Sequence, residues 1–245
     1  MAETARQIAD DLRVRIEAGE FPPGKRLPGE PALVKQYGVA KMTANGALKL
    51  LVNEGLAYSK PGSGTYVRDF QPLRRVANKR MARTGWSSGQ SVWSPDLGRR
   101  DLVVADIRVN EVAAPRQVAR ALGLDSQDLV LVRSRRFLVD EKPVQLATTY
   151  YPASLVAGSA ITQQNTGPGG AYARLAELGA EPVQFVEELR SRMPSGTEAD
   201  LLALPAGTPV MEICRTAFTA DGDRVEFNQM LLDAGSYVLE YHFTS

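Results

Sequence analysis

Apolar residues recur every three or four positions near the start of the chain, as they do along one side of an α-helix. Ala5, Ile8, Leu12 and Ile16 form such a stripe, and Gly19 ends it. The pattern predicts an amphipathic helix whose apolar side packs against the elements that follow.

Two further short helices and a hairpin are predicted between Leu27 and Val67. One helix begins at the string 27–30 and ends at Gly38, and the next runs from 39–43 to Gly55 with Met42, Ala47, Leu48 and Leu51 facing inward. Two strand-like runs, 56–59 and 65–67, flank the turn-forming residues 60–64. This order of elements is that of a winged helix-turn-helix, and it indicates DNA binding.

The start of the second of these helices is expected to enter the major groove, and the hairpin tip, or wing, is expected to approach the DNA backbone. The residues predicted to contact DNA are Lys41, Thr43, Asn45 and Lys49 on the helix, and Gly62, Ser63, Gly64 and Thr65 in the wing.

From Leu102 onward the pattern changes to strands with short helices between them. Strands are predicted at 103–109, 129–139, 144–151, 182–192, 210–219, 224–233 and 237–243, and helices at 115–122, 169–178 and 195–202. Sequential strands joined by tight turns imply a mostly antiparallel sheet covered by helices, so the fold class is α+β.

Length and charge divide the 245 residues into three parts: a DNA-binding domain at 1–69, a basic linker at 70–100 and a second domain at 101–245. The linker holds seven Lys or Arg and one Asp, a net charge of +6. Two interpretations of this linker stay open. Its basic side chains contact phosphates that flank the bound DNA site, or they keep a solvated linker extended; they belong to Arg74, Arg75, Lys79 and Arg80. Likewise, the stretch 85–95 with its two tryptophans is either a flexible lead-in or a loop that packs over another element.

Two residue counts argue against several kinds of chemistry. The single histidine, His242, makes a His-based triad or metal cluster improbable, and the single cysteine, Cys214, reads as a buried structural thiol. No apolar run is long enough for a membrane span and no signal-peptide core is present. We therefore expect a cytoplasmic protein with no catalytic residues, metal or cofactor, and no membrane partner.

The first 70 residues resemble the DNA-binding domain of GntR-type transcriptional regulators. The likeness rests on the strings 7–12, 27–28, 42–43, 47–48, 54–56 and 62–67, in fixed order. Family members usually carry Ser or Thr at position 40 and Arg at positions 31, 41 and 45, where this chain has Ala40, Pro31, Lys41 and Asn45. Because Lys and Pro lack the forked guanidinium of Arg, the resemblance implies an unusual operator or a weakened affinity.

The second half resembles the UTRA effector domain of the HutC branch of the same family. The residues that carry this likeness are Arg133, Arg135, Asp140, Pro143, 147–152, 204–209, Arg215, 225–226 and Tyr237. UTRA domains are similar to chorismate lyase in fold, bind small molecules and dimerise. The resemblance therefore implies an effector site and a homodimer.

Arg133 and Arg135 alternate on one strand, so both are expected on the same face, where they could hold an anion. Ion pairs with Glu187 or Glu188 are the alternative. Glu226 is a candidate acceptor for a hydroxyl or amine of the effector. Thr148, Thr149 and Tyr151 offer further hydroxyls, or else they pack across the sheet.

Together these features predict a ligand-responsive transcriptional regulator that binds double-stranded DNA, and more specifically a repressor released by a small-molecule effector. Two other classes stay open: an enzyme of the chorismate-lyase type, and a family member that has lost specific DNA binding through Pro31 and Asn45. The sequence identifies neither the effector nor the operator.

Overall fold

The computed structural model describes residues 4–68, 72–98, 100–125 and 127–243. The chain forms two compact units, the first built on residues 4–68 and 204–208 and the second on the described residues of 72–203 and 209–243. The predicted boundary between residues 69 and 70 lies outside the described residues.

The first unit is a winged helix-turn-helix, as predicted. Its elements are α1 (Ala5–Glu17), α2 (Glu30–Tyr37), α3 (Lys41–Asn53), β1 (Ala57–Lys60) and β2 (Gly64–Val67). Gly38 has φ 64°, a left-handed conformation that lets the chain turn from α2 into α3 within three residues. The buried core includes Ile8, Leu12, Leu33 and Leu51, so the apolar stripe of α1 packs against both later helices.

Pro31 occupies the first turn of α2, where the missing backbone N–H is not needed for the helix. The presence of Pro at this position therefore leaves the helix-turn-helix geometry intact.

The second unit contains a six-stranded antiparallel sheet within the described residues. Strands β4 (Leu102–Ala113), β5 (Leu129–Val139), β6 (Lys142–Pro152), β7 (Gln184–Arg192), β8 (Val210–Phe218) and β9 (Arg224–Asp233) lie in the order β4-β5-β6-β9-β8-β7. The α+β prediction is confirmed, and each of these strands lies close to its predicted range.

Short elements surround this sheet. They are β3 (Leu73–Val76), α4 (Ala77–Arg80), α5 (Arg83–Ser87), α6 (Ser94–Leu97), α7 (Arg116–Leu122), α8 (Ala153–Val156), a 3-10 turn (Ala160–Thr162), α9 (Gly170–Glu177), α10 (Gly196–Leu201), a second 3-10 turn (Ala234–Ser236) and β10 (Tyr237–Glu240). Ser195 and Glu198 form the expected capping box at the start of α10. No helix in the described part of the chain combines the length and apolar character needed to cross a membrane.

The connector, which we define as residues 72–98, is packed rather than extended. β3 pairs in parallel with β10, and Trp86 and Trp93 are buried in the core of the second unit. The structure thus favours the packed-loop alternative for the tryptophan-containing stretch. The parallel pair was not predicted, because its two strands lie at opposite ends of this unit's sequence.

Candidate DNA-binding surface and effector cavity

One face of α3 is free of the protein core. Ala44, Ala47, Leu48 and Leu51 are buried, whereas Lys41 keeps 80% of its side chain exposed and Lys49 is also exposed. The predicted contact residues Lys41, Thr43, Asn45 and Lys49 are therefore all outside the buried stripe. The helix also begins without a side-chain cap or an acidic residue, so its first backbone N–H groups are open to an anion such as phosphate.

Met42 corrects one expectation about this helix. It was predicted to face inward, but it is 87% exposed. Met42, Asn45 and Lys49 are three and four residues apart, which places them on one helical face opposite the buried one. An apolar side chain therefore belongs to the proposed DNA-reading surface.

Glu30 at the start of α2 organises the same surface. Its carboxylate accepts a hydrogen bond from the Asn45 amide and lies 3.6 Å from the ammonium of Lys41. Two of the proposed reading residues are thus positioned by one acidic side chain of the preceding helix.

The wing is a short hairpin with an aromatic side. Tyr58 and Tyr66 stack with ring centroids 5.8 Å apart, and the Lys60 ammonium lies 5.2 Å from the centroid of the Tyr66 ring. Gly62, Ser63 and Gly64 form the tip, as predicted. Thr65 is a correction: its side chain faces inward, leaving the residue 8% exposed, so we remove it from the predicted DNA contacts.

The second unit contains a cavity of about 580 Å³ on one face of the sheet. Its floor is formed by β5, β6, β8 and β9, and its walls by the connector, β4 and the loop at 164–170. Arg133, Arg135, Tyr151 and Glu226, all predicted effector contacts, line this cavity. Residues 167–170, at the start of the helix predicted over 169–178, line it as well.

Arg133 is buried and anchors the loop that forms one wall. Its guanidinium donates to the backbone carbonyls of Ile161, at 2.5 Å, of Gln163, and of Gln164, at 2.9 Å. Neither Glu187 nor Glu188 pairs with it, so the structure does not support the predicted alternative of an ion pair. Burial and the nearby charge of Arg135 lower the pKa of Arg133.

Arg135 is less fully engaged. One of its Nη atoms donates to the Thr149 hydroxyl at 2.5 Å, and its guanidinium lies 5.5 Å from the centroid of the Phe137 ring. No carboxylate within the described residues pairs with either Arg133 or Arg135. The cavity therefore carries positive charge that is not neutralised by the protein around it.

Glu226 sits in a buried hydrogen-bond cluster. It accepts from the hydroxyls of Tyr151 and Tyr172, each at 3.0 Å, and from Arg215 at 3.2 Å. Burial raises the pKa of both tyrosines, so they act as donors. This carboxylate is positioned by three donors, of which Tyr172 and Arg215 were not predicted as site residues.

Thr148 and Thr149 occupy opposite faces of β6. Thr149 is completely buried and donates to Asn228 at 3.1 Å, beside the cavity. Thr148 lies on the other face, next to Gln229 and Glu212. Since side chains alternate along a strand, the prediction that both contact the effector is wrong for Thr148.

Two of the connector arginines predicted to contact phosphates are buried instead. Arg75 is 0% exposed and pairs with Glu187, and Arg80 is 3% exposed and donates to Asp96 at 2.5 Å. Glu187 also lies 3.8 Å from Arg215, which links the connector strand β3 to the Glu226 cluster. The charge of Arg75 therefore holds the connector to the sheet, whereas the Arg80–Asp96 pair joins two parts of the connector to each other.

Several cavity residues escaped the sequence analysis. Asn228 and Met230 alternate with Glu226 on β9, and Gln145 alternates with Thr149 on β6, so strand periodicity alone could have indicated them. Nothing in the sequence indicated that Trp93 would reach the cavity.

A winged helix-turn-helix followed by an α+β unit with a charged cavity defines the class of two-domain, ligand-responsive transcriptional regulators. The comparisons with known proteins assign the family. Residues 4–67 match the family of bacterial regulatory proteins called gntR, and residues 100–237 match the UTRA domain. The chain belongs to the GntR family and carries a UTRA domain, the type of domain through which such regulators bind small-molecule effectors.

Sequence relatives support this assignment along most of the chain. An uncharacterized HTH-type transcriptional regulator of Streptomyces coelicolor is 35% identical, with 91% of this chain and 86% of that protein covered. The mannosyl-D-glycerate transport/metabolism system repressor MngR of Escherichia coli is 28% identical, with 95% and 92% covered. PhnF from Mycobacterium smegmatis has a similar fold, with a TM-score of 0.62 at 20% identity over 97% of this chain and 99% of PhnF.

Proposed function

We propose that the chain is a cytoplasmic, homodimeric repressor that binds a pseudo-palindromic operator and leaves it when a small anion enters the cavity. The observation that carries the effector half of this proposal is the pair Arg133 and Arg135, whose charges face the cavity without a carboxylate partner among the described residues. The DNA half rests on the exposed face of α3.

For DNA, we assign base and backbone contacts to Lys41, Thr43, Asn45 and Lys49, with Met42 beside them. The ammonium groups meet phosphate or guanine, the Asn45 amide suits adenine, and Met42 suits a thymine methyl group. At the wing, Gly62, Ser63 and Gly64 approach the DNA backbone, and Lys60 adds a positive charge.

The double variant Lys41→Ala/Thr43→Ala tests the DNA assignment. It should weaken binding to DNA from upstream of the chain's own gene by about 1–3 kcal/mol for each interaction with a base that the substitutions remove, measured by fluorescence anisotropy. Arg116→Ala, an exposed charge on α7, is the control for a general loss of positive charge. Equal effects of the two variants would contradict the assignment of α3.

For the effector, we assign the anion contact primarily to Arg135, because the Nη atoms of Arg133 already hold the loop at 161–164. Thr149, Tyr151 and Glu226 then position the groups around the anion. The N-terminus of α9 also lines the cavity, at Gly170 and Ala171, and the positive end of a helix dipole favours an anion.

Arg135→Gln tests this assignment, with Arg136→Gln as the matched control. Arg136 is the next residue on β5, faces the other side and pairs with Asp106 at 2.8 Å. Arg135→Gln should abolish most of the thermal stabilisation by phenyl phosphate, whereas Arg136→Gln should retain it. Arg133→Ala should instead lower the stability of the second unit, because three backbone carbonyls lose their donor.

Dimerisation and the absence of catalysis belong to the same proposal. A dimer is supported by the exposed apolar side chains on and beside edge strand β7, namely Val183, Val186, Leu189 and Met193, which are 43–59% exposed. Sedimentation equilibrium should give twice the chain mass of 26.6 kDa. A non-enzymatic role is supported by the sequence relatives, which are named as transcriptional regulators and repressors.

A further inference from the structure

The floor of the cavity changes from polar to apolar along the direction of its strands. In the register of β5, β6 and β9, Arg133 lies opposite Thr149, which lies opposite Asn228. Two residues further along, Arg135 lies opposite Ala147, and after two more Phe137 lies opposite Gln145. Each such step is roughly 6.6 Å, so the apolar end begins about 7–13 Å from the arginines.

The walls at this second end are also apolar. Trp93 from the connector stacks on Phe137 with ring centroids 4.8 Å apart, and Val104 of β4 lies opposite Phe137 in the strand register. Leu102 also lines this end, whereas Met230 lies opposite Ala147 in the register row of Arg135, and Ile107 lies in the β4 bulge beside that row. Trp93 and Phe137 are at most 5% exposed, so the cavity surface at this end consists of the small accessible part of these rings together with Val104, which is 38% exposed.

Few polar groups are available there. Gln145 is 2% exposed, and within the described residues its Oε1 atom has no hydrogen-bond partner. Arg80 pairs with Asp96 through its Nε atom, and its Nη2 atom is the second polar atom at this end without a hydrogen-bond partner among the described residues. A polyol at this end would lose its hydrogen bonds to water at several hydroxyls and regain few of them, whereas one polar substituent can be matched by Gln145.

We propose that the effector is an anion joined to a planar apolar group, such as an aromatic carboxylate or phosphate, and not a phosphorylated sugar. This inference rests on the proposed function, since it takes the cavity to be the effector site. The anion occupies the Arg135 end, and the planar group lies against Trp93, Phe137 and Val104.

Isothermal titration of the full chain with a matched set of small molecules tests the proposal. Phenyl phosphate and 3-phenylpropionate carry both features, inorganic phosphate carries the charge alone, 3-phenylpropan-1-ol carries the ring alone, and glucose 6-phosphate joins the charge to a polyol. At least one of the two phenyl anions should bind tenfold or more tightly than each of the other three. The better of the two phenyl anions identifies the anionic group as phosphate or carboxylate.

Two variants on β4 locate the apolar group. Val104 lines the cavity and is 38% exposed, whereas its neighbour Val103 does not line it and is 53% exposed. Val104→Gln should weaken the phenyl anion about tenfold and leave inorganic phosphate unchanged, and Val103→Gln should change neither. Equal effects of the two variants would overturn the placement of the ring.

The outcomes separate this proposal from the one on which it rests. If glucose 6-phosphate binds as tightly as the phenyl anions and loses affinity in Arg135→Gln, the ligand class is wrong and the effector site stands. If none of the five compounds binds, both proposals are overturned.

Discussion

The buried pair Arg75–Glu187 gives a sharp test of how the connector is held to the sheet. Arg75 has no exposed surface, and its guanidinium donates twice to the Glu187 carboxylate, once at 3.1 Å from Nη1. Arg75→Met would leave that carboxylate buried with Arg215 at 3.8 Å and the Tyr241 hydroxyl at 2.9 Å. Breaking a buried ion pair costs about 3–5 kcal/mol, and these remaining partners place the expected loss near 3 kcal/mol.

The neighbouring residue provides a matched control. Arg74 lies on the same strand and pairs with Glu240, but 64% of its side chain is exposed. Arg74→Met should therefore cost only about 0–1 kcal/mol. The double variant Arg75→Met/Glu187→Met should recover part of the loss, because the unpaired buried carboxylate is removed as well.

Urea unfolding followed by tryptophan fluorescence measures these differences. Both tryptophans of the chain, Trp86 and Trp93, are buried in the second unit, so the signal reports the unit that contains the pair. If Arg75→Met destabilises this unit no more than Arg74→Met, the connector is not held by its buried charge.

Three further results are expected. Arg192 and the cap of α10 hold the pKa of Glu198 at about 2 against its usual 4.5. The stability that this carboxylate adds is therefore complete above pH 4.5 and is lost as the pH falls toward 2. A carboxyl NMR titration would show the lowered pKa, and an unshifted pKa would contradict the pairing with Arg192. Gly169→Ala should destabilise the second unit by roughly 1–3 kcal/mol, since Gly169 has φ 76° and the added Cβ would lie 2.5 Å from the Trp86 carbonyl oxygen. Gly158→Ala should cost less in the same urea assay, because Gly158 has a similar φ of 73° but open space around it. Met42→Ala should weaken operator binding by about 1 kcal/mol in anisotropy without altering stability, and unchanged binding would remove Met42 from the DNA surface.

Local sequence signals were sufficient for the winged domain and for most of the sheet. Gly38, the Lys60–Gly64 turn and the Ser195–Glu198 capping box act over a few residues, and all three lie where the pattern put them. Met42 was misplaced because an apolar residue at helical spacing is expected to be buried, and this one lies on the exposed face.

The connector and the cavity could not be derived in the same way. The density of positive charge suggested a solvated or DNA-bound linker. The carboxylate partners of Arg75 and Arg80 are brought to them by tertiary packing, which cannot be predicted from amino-acid composition. Strand alternation correctly placed Arg133 and Arg135 on one face, yet it gave no sign that backbone carbonyls of a later loop would occupy Arg133.

The parallel pairing of β3 with β10 also orders events during synthesis. Leu73 and its partner Tyr237 are 164 residues apart, so at about 5–20 residues per second the ribosome needs roughly 8–33 seconds to supply the second strand after the first. The winged domain can fold within that interval, because its core is complete by Val67. The connector must wait, because Arg74, Arg75 and Arg83 pair with carboxylates at positions 240, 187 and 181, and a nascent chain therefore presents a folded DNA-binding domain followed by an exposed cationic segment long before effector control exists.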